Sequence, residues 1–326
     1  MPCLLALAAL CVVPLAAESK TRSSKPAVSV KKKVSTKATR ARAVRLVQAR
    51  PSFGQTYGLH KSDDALELKS SVALVLDQDT NEVLFSKNPQ AVLPIASITK
   101  LMTALVVSDA KLPLDEVLSI GKDDVDTEKG SRSRLQVGTR LSREEMLHLA
   151  LMASENRAAN ALGRHYPGGL PAFVAAMNAK AQALGMKDTH YVEPTGLSSQ
   201  NQSSATDLAL LVREVDKHAL IRQLSTSREH EVAVGSRHVN FRNTNGLVRG
   251  GEWDIGVQKT GYITEAGRCL VMQAQVSGRK LIMVLLDSAG KYSRIGDAER
   301  IRRWVSELPA TVSPPAAAVK SAVPLV

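Results

Sequence analysis

The sequence predicts an α+β fold, an antiparallel sheet flanked by helices and carrying an inserted helical subdomain. Three observations point there. A hairpin pattern opens the folded region, over Ser71–Leu76 and Glu82–Phe85. Helical patterns fill the middle of the chain, and strand patterns return near its end before one last helix. Strands from both ends of one domain must meet in a common sheet to bury their apolar faces, which makes the helical block an insertion.

Each element has its own signal. Ser71-Val-Ala-Leu-Val-Leu76 is a strand run, and Asp77 to Asn81 supplies turn formers before the second strand. Within Leu93–Val107, the residues Ile98, Leu101, Met102, Leu105 and Val106 recur at helical spacing, so an amphipathic helix is expected. Ser142-Arg-Glu-Glu145 is a capping box ahead of Met146, Leu147, Leu149, Ala150 and Leu151. Further helices fit Pro171 to Leu184, stopped by Gly185, and Ala205 to Val215 after Ser204. Trp253 to Lys259 reads as a strand, and Arg268–Val276 with Lys280–Asp287 as a hairpin across Ser277-Gly-Arg279. The last helix places Ile301, Trp304, Val305 and Leu308 on one face.

Apolar residues are 44% of the 326, enough for a sizeable core, but aromatics are only 3%, so that core is aliphatic. The net charge of +12 is local: residues 20 to 50 hold eleven Lys or Arg and no acid, leaving 32 basic and 31 acidic residues elsewhere. Such a segment attracts anionic membrane or wall polymers, or serves as a solvated linker; no nucleic-acid role is expected. Residues 1–17 read as a signal peptide cleaved near Ala17, 18–60 as a basic disordered linker, 61–308 as the folded domain and 309–326 as a disordered Pro/Ala-rich tail. Cleavage would leave Cys269 as the single cysteine, so no internal disulfide forms. There is no CxxC, no HExxH and no clustered His, so neither a metal nor another cofactor is expected.

The chemistry lies in three short motifs. Ser97-Ile-Thr-Lys100 puts a hydroxyl and an amine on one helix face. The same spacing recurs at Ser29–Lys32, Ser108–Lys111, Ser119–Lys122, Ser277–Lys280 and Ser288–Lys291, where an exposed Lys after a capping Ser is the ordinary meaning. Ser97 differs by standing at a helix start after Pro94, where the helix N-terminus favours developing negative charge. A hydroxyl needs a base to become a nucleophile, and a buried Lys, its pKa lowered by desolvation and a neighbouring cation, can be that base. Ser154-Glu-Asn156 follows at the end of the capped helix. Ser154 fits a proton relay to a leaving amine and Asn156 a hydrogen bond to a substrate backbone amide; a plain polar turn is the alternative. Lys259-Thr-Gly261 ends a predicted strand, where a substrate peptide can add as a further strand. Lys259 brings charge, Thr260 a hydroxyl for a carboxyl or carbonyl group, and Gly261 room for close backbone approach; a surface turn is the alternative.

The three motifs in this order resemble those of the penicillin-binding proteins and active-site serine β-lactamases, over roughly Leu68 to Leu308. Ser154-Glu-Asn-Arg-Ala-Ala-Asn160, Val192-Glu-Pro-Thr-Gly-Leu-Ser198 and Lys259-Thr-Gly-Tyr-Ile-Thr-Glu-Ala-Gly-Arg-Cys269 look like the low-molecular-mass D-alanyl-D-alanine endopeptidases of the penicillin-binding protein 7 type. The resemblance implies Ser97 as acylated nucleophile, Lys100 as base, Ser154 as relay, and Asn156, Lys259, Thr260 and Gly261 as substrate-binding residues. It implies an oxyanion hole from the backbone N–H groups of Ser97 and Tyr262. It further implies a periplasmic enzyme that cuts D-Ala–diaminopimelate cross-links between peptidoglycan stem peptides and is acylated by β-lactams. Relatives that act as carboxypeptidases carry an additional C-terminal β-domain and amphipathic helix, for which the sequence leaves no length, so the endopeptidase is expected over a D,D-carboxypeptidase. A β-lactamase needs a deacylating carboxylate; Glu193 is the candidate, in a Pro-Gly loop that is structural in the peptidases.

Overall fold

The computed structural model describes residues 50–309; the expected leader, nearly all of the basic segment and the C-terminal tail lie outside them. The folded region begins earlier than the expected boundary at residue 61. Ser52 and Gln55 form a reciprocal capping box on a short helix, α1 (Phe53–Thr56), followed by a 3₁₀ turn, Leu59–Lys61. The Phe53 N–H donates to Glu265 O at 2.9 Å, and His60 Nε2 lies 2.8 Å from Asp287 Oδ2. Ser52-x-x-Gln55 is itself a capping signal, hidden by reading the basic segment as one unit.

The hairpin β1 (Ser70–Asp77) and β2 (Val83–Lys87) forms as expected. A two-residue strand β3 (Leu93–Pro94) leads through the 3₁₀ turn Ala96–Ile98 into α2 (Thr99–Asp109). Short strands β4 (Val117–Ser119) and β5 (Arg140–Ser142) pair ahead of α3 (Arg143–Met152), whose Ser142–Glu145 capping box is present. Then come α4 (Asn156–Arg164), α5 (Gly169–Ala183), β6 (Gln202–Ser203), α6 (Ala205–Val215) and α7 (Ala219–Thr226). A hairpin β7 (Glu229–Val234) and β8 (Arg237–Arg242) and a short α8 (Gly246–Gly250) precede β9 (Asp254–Ile263), β10 (Gly267–Val276), β11 (Arg279–Ser288) and α9 (Ser293–Glu307).

The main sheet runs β2-β1-β11-β10-β9 and is antiparallel throughout, so the chain's two ends do meet in it. Register sorts its residues between two cores. Leu74, Val284 and Val271 pair across and join the large cluster with Leu208, Leu211 and Val212 of α6. Val75, Met283 and Met272 face the other way, with Ala298, Ile301 and Val305 of α9. Burial on both faces explains why β10 and β11 read as unbroken apolar runs. Asp297, fully buried in α9, accepts from Lys69 N–H, Ser70 N–H and the Ser70 hydroxyl, which fixes this helix to the start of β1.

Two expectations change in kind. The helix after Ser97 is not amphipathic: α2 is buried at every position from Thr99 to Val107. Its polar side chains are satisfied internally, Thr99 donating to Ala96 O and Thr103 to Pro194 O. Lys259-Thr-Gly261 lies within β9 rather than at its end, and β9 is an edge strand of the main sheet.

Candidate active site

The three motifs converge on one cleft of about 500 Å³, lined by Ser97, Ser154, Asn156, Thr260, Gly261 and Tyr262 among others. Ser97 sits in the 3₁₀ turn at the entry to α2, partly exposed, while Lys100 one turn on is fully buried. Lys100 Nζ lies 2.9 Å from Ser97 Oγ, 2.7 Å from Asn156 Oδ1 and 2.5 Å from Thr195 O. Asn156 Oδ1 and Thr195 O can only accept. A neutral amine that donates its two hydrogens to them keeps its lone pair for the Ser97 hydroxyl.

Burial lowers the Lys100 pKa to about 7, against the opposing pull of Glu193 and Glu155. Desolvation alone therefore supplies the shift; a neighbouring cation acts on the other lysine. Lys259, also fully buried, is driven well below its ordinary value by burial first, then by Lys100 and Arg294. Its Nζ donates to Ser154 Oγ at 2.8 Å and to Thr260 O at 2.9 Å. Because Ser154 Oγ accepts from Lys259, its own proton is free to point elsewhere.

Two backbone positions around the cleft are strained. Ala96, just before Ser97, has φ 47°, and Ser154 itself has φ 60°. The Ala96 turn is held by two glycines packed on it. A Cβ on Gly261 would meet Ile95 O at 3.0 Å and Ser97 N at 3.1 Å, so the close backbone approach here is made by the turn that carries Ser97. A Cβ on Gly196 would fall 1.9 Å from Ala96 O, at φ +84°. Gly196→Ala is expected to lose about 2–4 kcal/mol of stability, from left-handed backbone strain plus overpacking. It also displaces the Ser97 turn. Denaturant unfolding alongside the rate of acylation by a fluorescent penicillin measures both losses, and an unaffected variant contradicts the packing.

Asn156 is already engaged within the protein. Its Oδ1 takes Lys100 and its Nδ2 donates to Ser131 Oγ at 3.0 Å, which leaves one amide hydrogen for a substrate carbonyl. Glu193 is committed to its loop: Oε1 accepts from Gly196 N–H, and Oε2 from the N–H and hydroxyl of Thr195. The carboxylate shapes the turn that presents Thr195 O to Lys100, which speaks against a deacylating base.

Several cleft residues escaped the sequence. Thr244 Oγ1 lies 2.6 Å from Thr260 Oγ1, and Ser131 supports Asn156. Arg294, at the start of α9, lines the cleft with Nε and Nη1 buried and without partners. None of these has a local motif; each becomes a neighbour only through tertiary contact.

The family model for peptidase S11, described as D-alanyl-D-alanine carboxypeptidase, matches residues 59–290, most of the chain. The chain belongs to this family. Within this peptidase family it is 53% identical over 255 residues to a D-alanyl-D-alanine endopeptidase of Pseudomonas aeruginosa, covering 77% of this chain and 82% of that one. It is 48% identical over 241 residues to a D-alanyl-D-alanine endopeptidase of Escherichia coli, covering 73% and 78%. The crystal structure of the Streptomyces K15 DD-transpeptidase superposes with a TM-score of 0.68 at 27% identity, covering 73% of this peptidase and 97% of that protein. The fold is that of the serine penicillin-binding enzymes, and the peptidase is a serine hydrolase.

Proposed function

We propose that this peptidase is a periplasmic D-alanyl-D-alanine endopeptidase that opens peptide cross-links of peptidoglycan through an acyl-enzyme on Ser97. The observation that carries the chemistry is the buried Lys100 amine against Ser97 Oγ with two obligate acceptors on its other side. Neutral Lys100 takes the Ser97 proton as Oγ attacks the D-Ala carbonyl. The tetrahedral oxyanion lies between the N–H groups of Ser97 and Tyr262. The proton held by Lys100 passes through Ser154, polarised by Lys259, to the departing amine, which leaves Lys100 neutral again. Water then attacks the ester, and Lys100 takes its proton and returns it to Ser97 Oγ as the acyl group leaves.

Substrate recognition follows from the remaining groups. The extended peptide adds along edge strand β9. Asn156 donates to a substrate carbonyl. The carboxylate beside the scissile bond meets the Thr260–Thr244 hydroxyl pair and the unpartnered nitrogens of Arg294. A β-lactam enters the same site, and its opened ring stays attached to Ser97. Among the described residues, no helix is long and apolar enough to cross a membrane. The basic segment, outside those residues, is assigned to weak contact with anionic wall or membrane polymer.

The endopeptidase reading over carboxypeptidase rests on the 53% and 48% identity to proteins of that name. A D,D-carboxypeptidase shares the same three motifs and is the second reading. Purified protein incubated with cross-linked muropeptide dimers and with pentapeptide monomers separates the two. Loss of dimers with monomers retained is expected; loss of monomers alone overturns the endopeptidase.

The pH profile follows from Lys100. The base form of Lys100 is the neutral one, so acylation rises about tenfold per pH unit below its pKa and levels above about 7. Second-order rates of penicillin acylation between pH 5 and 9 trace this rise and plateau, and a rate that falls from pH 5 to 7 contradicts it.

A further inference from the structure

Lys129 and Glu265 form an ion pair of 2.6 Å, Nζ to Oε1, with side chains 32% and 27% exposed. It joins the loop between the 3₁₀ turn Lys122–Asp124 and β5 to the turn between β9 and β10. Lys129 lines the same cleft as Ser97, and Glu265 directly follows Ile263 and Thr264, which line it too. The pair thus bridges the two cleft walls where β9 ends.

Three features mark the bridge as more than a clasp. Ion pairs this exposed contribute little stability, so holding the walls together is a weak reason for it. The carboxylate is only half satisfied, because Glu265 Oε2 is buried without a partner. The loop is also tied to the chemistry. The Asp126 carboxylate accepts from the N–H groups of Glu128, Lys129 and Ser131, which ties the loop tip together. Ser131 in turn supports Asn156, which holds Lys100.

The leaving group decides what such a lysine can do. Removal of a terminal D-Ala releases one residue, whose single carboxylate adjoins the scissile bond. Opening a cross-link releases a whole stem peptide with further carboxylates beyond that point. Lys100 and Lys259 are buried and committed to Ser97 and Ser154. Lys129 is the lysine of the cleft lining that sits partly in solvent.

We propose that Lys129 exchanges Glu265 for a carboxylate of the leaving stem peptide, making this pair a determinant of selectivity for cross-linked over uncross-linked substrate. The proposal rests on the endopeptidase reading above. In the free enzyme Glu265 keeps Lys129 over the cleft, and on binding the substrate anion replaces it.

Steady-state kinetics on a cross-linked muropeptide dimer and a pentapeptide monomer test this with wild type, Lys129→Ala, Lys129→Arg and Glu265→Gln. Lys129→Ala is expected to lower the dimer-to-monomer ratio of kcat/KM about tenfold, carried by KM, as for loss of one charged hydrogen bond. Lys129→Arg restores that ratio. Glu265→Gln raises it, because Lys129 is released from its competitor. A purely structural clasp predicts the opposite pattern: both single substitutions lower both reactions alike, and that result overturns the proposal. Thermal unfolding identifies any variant that fails to fold, and Glu265→Gln then carries the comparison. If wild type leaves dimers intact, the endopeptidase reading fails and the proposal with it. If wild type opens dimers and Lys129→Ala does so with the same KM, only the proposal fails.

Discussion

Ser97→Ala is expected to reduce hydrolysis of cross-linked muropeptides at least about a thousandfold, to background. The Ser97 side chain makes one hydrogen bond, with Lys100 Nζ, so its removal leaves the fold and the cleft in place. What disappears is the atom proposed to form the ester. Binding groups along β9, and Arg294 in α9, remain, so the variant still binds substrate and serves as a trap for it. Dimer turnover followed by chromatography, with thermal unfolding as a control, measures the effect. Residual turnover above about a tenth of wild type would place the nucleophile elsewhere.

Lys100→Met is expected to cost a similar factor in acylation. The substitution keeps the stem volume in a fully buried position but removes the base and leaves Asn156 Oδ1 and Thr195 O without their donor. Lys100→Arg separates two roles. Arginine retains positive charge but stays protonated above pH 12, so it cannot take a proton at neutral pH. If Lys100 acts as a base, both variants are equally inert toward penicillin. If it acts only as a cation that holds Ser97 and Asn156, Lys100→Arg retains much of the wild-type rate. The pKa of about 7 favours the base, since half the lysine is then neutral near physiological pH.

Several local signals in the sequence lead directly to the structure. The Ser142 capping box, the hairpin around Asp77–Asn81 and the α6 start after Ser204 depend on residues within a few positions of each other, and each forms as expected. Burial was less legible. The apolar spacing of α2 suggested one wet face, but Thr99, Lys100 and Thr103 turn inward to partners around residues 96 and 194–195. Those acceptors are invisible to a periodicity argument. The hairpin β7–β8 is faint in the sequence, although Val232 and Val234 alternate with exposed neighbours ahead of Gly235. Its strands are so polar that alternation barely registers.

The site shows the same division. Ser97, Lys100, Ser154, Asn156 and Lys259–Gly261 stand out in the sequence because each motif is short and their order is distinctive, and the structure brings them together. Ser131, Thr244, Arg294 and the Lys129–Glu265 pair do not, because they reach the cleft from loops and a helix start without a pattern of their own. The strain at Ala96 and Ser154 lies between these extremes. Neither residue type signals a positive φ, yet Gly196 and Gly261, which enclose the Ala96 turn, both stand inside stretches singled out for their wording.

Ser97 Oγ is proposed to form the acyl bond, and every later step depends on it. Mass spectrometry of the proteolysed protein after brief exposure to benzylpenicillin tests it most directly. A single penicilloyl group on the peptide that contains Ser97, absent in Ser97→Ala, is the predicted result. An adduct on any other residue, or equal labelling of Ser97→Ala, would contradict it.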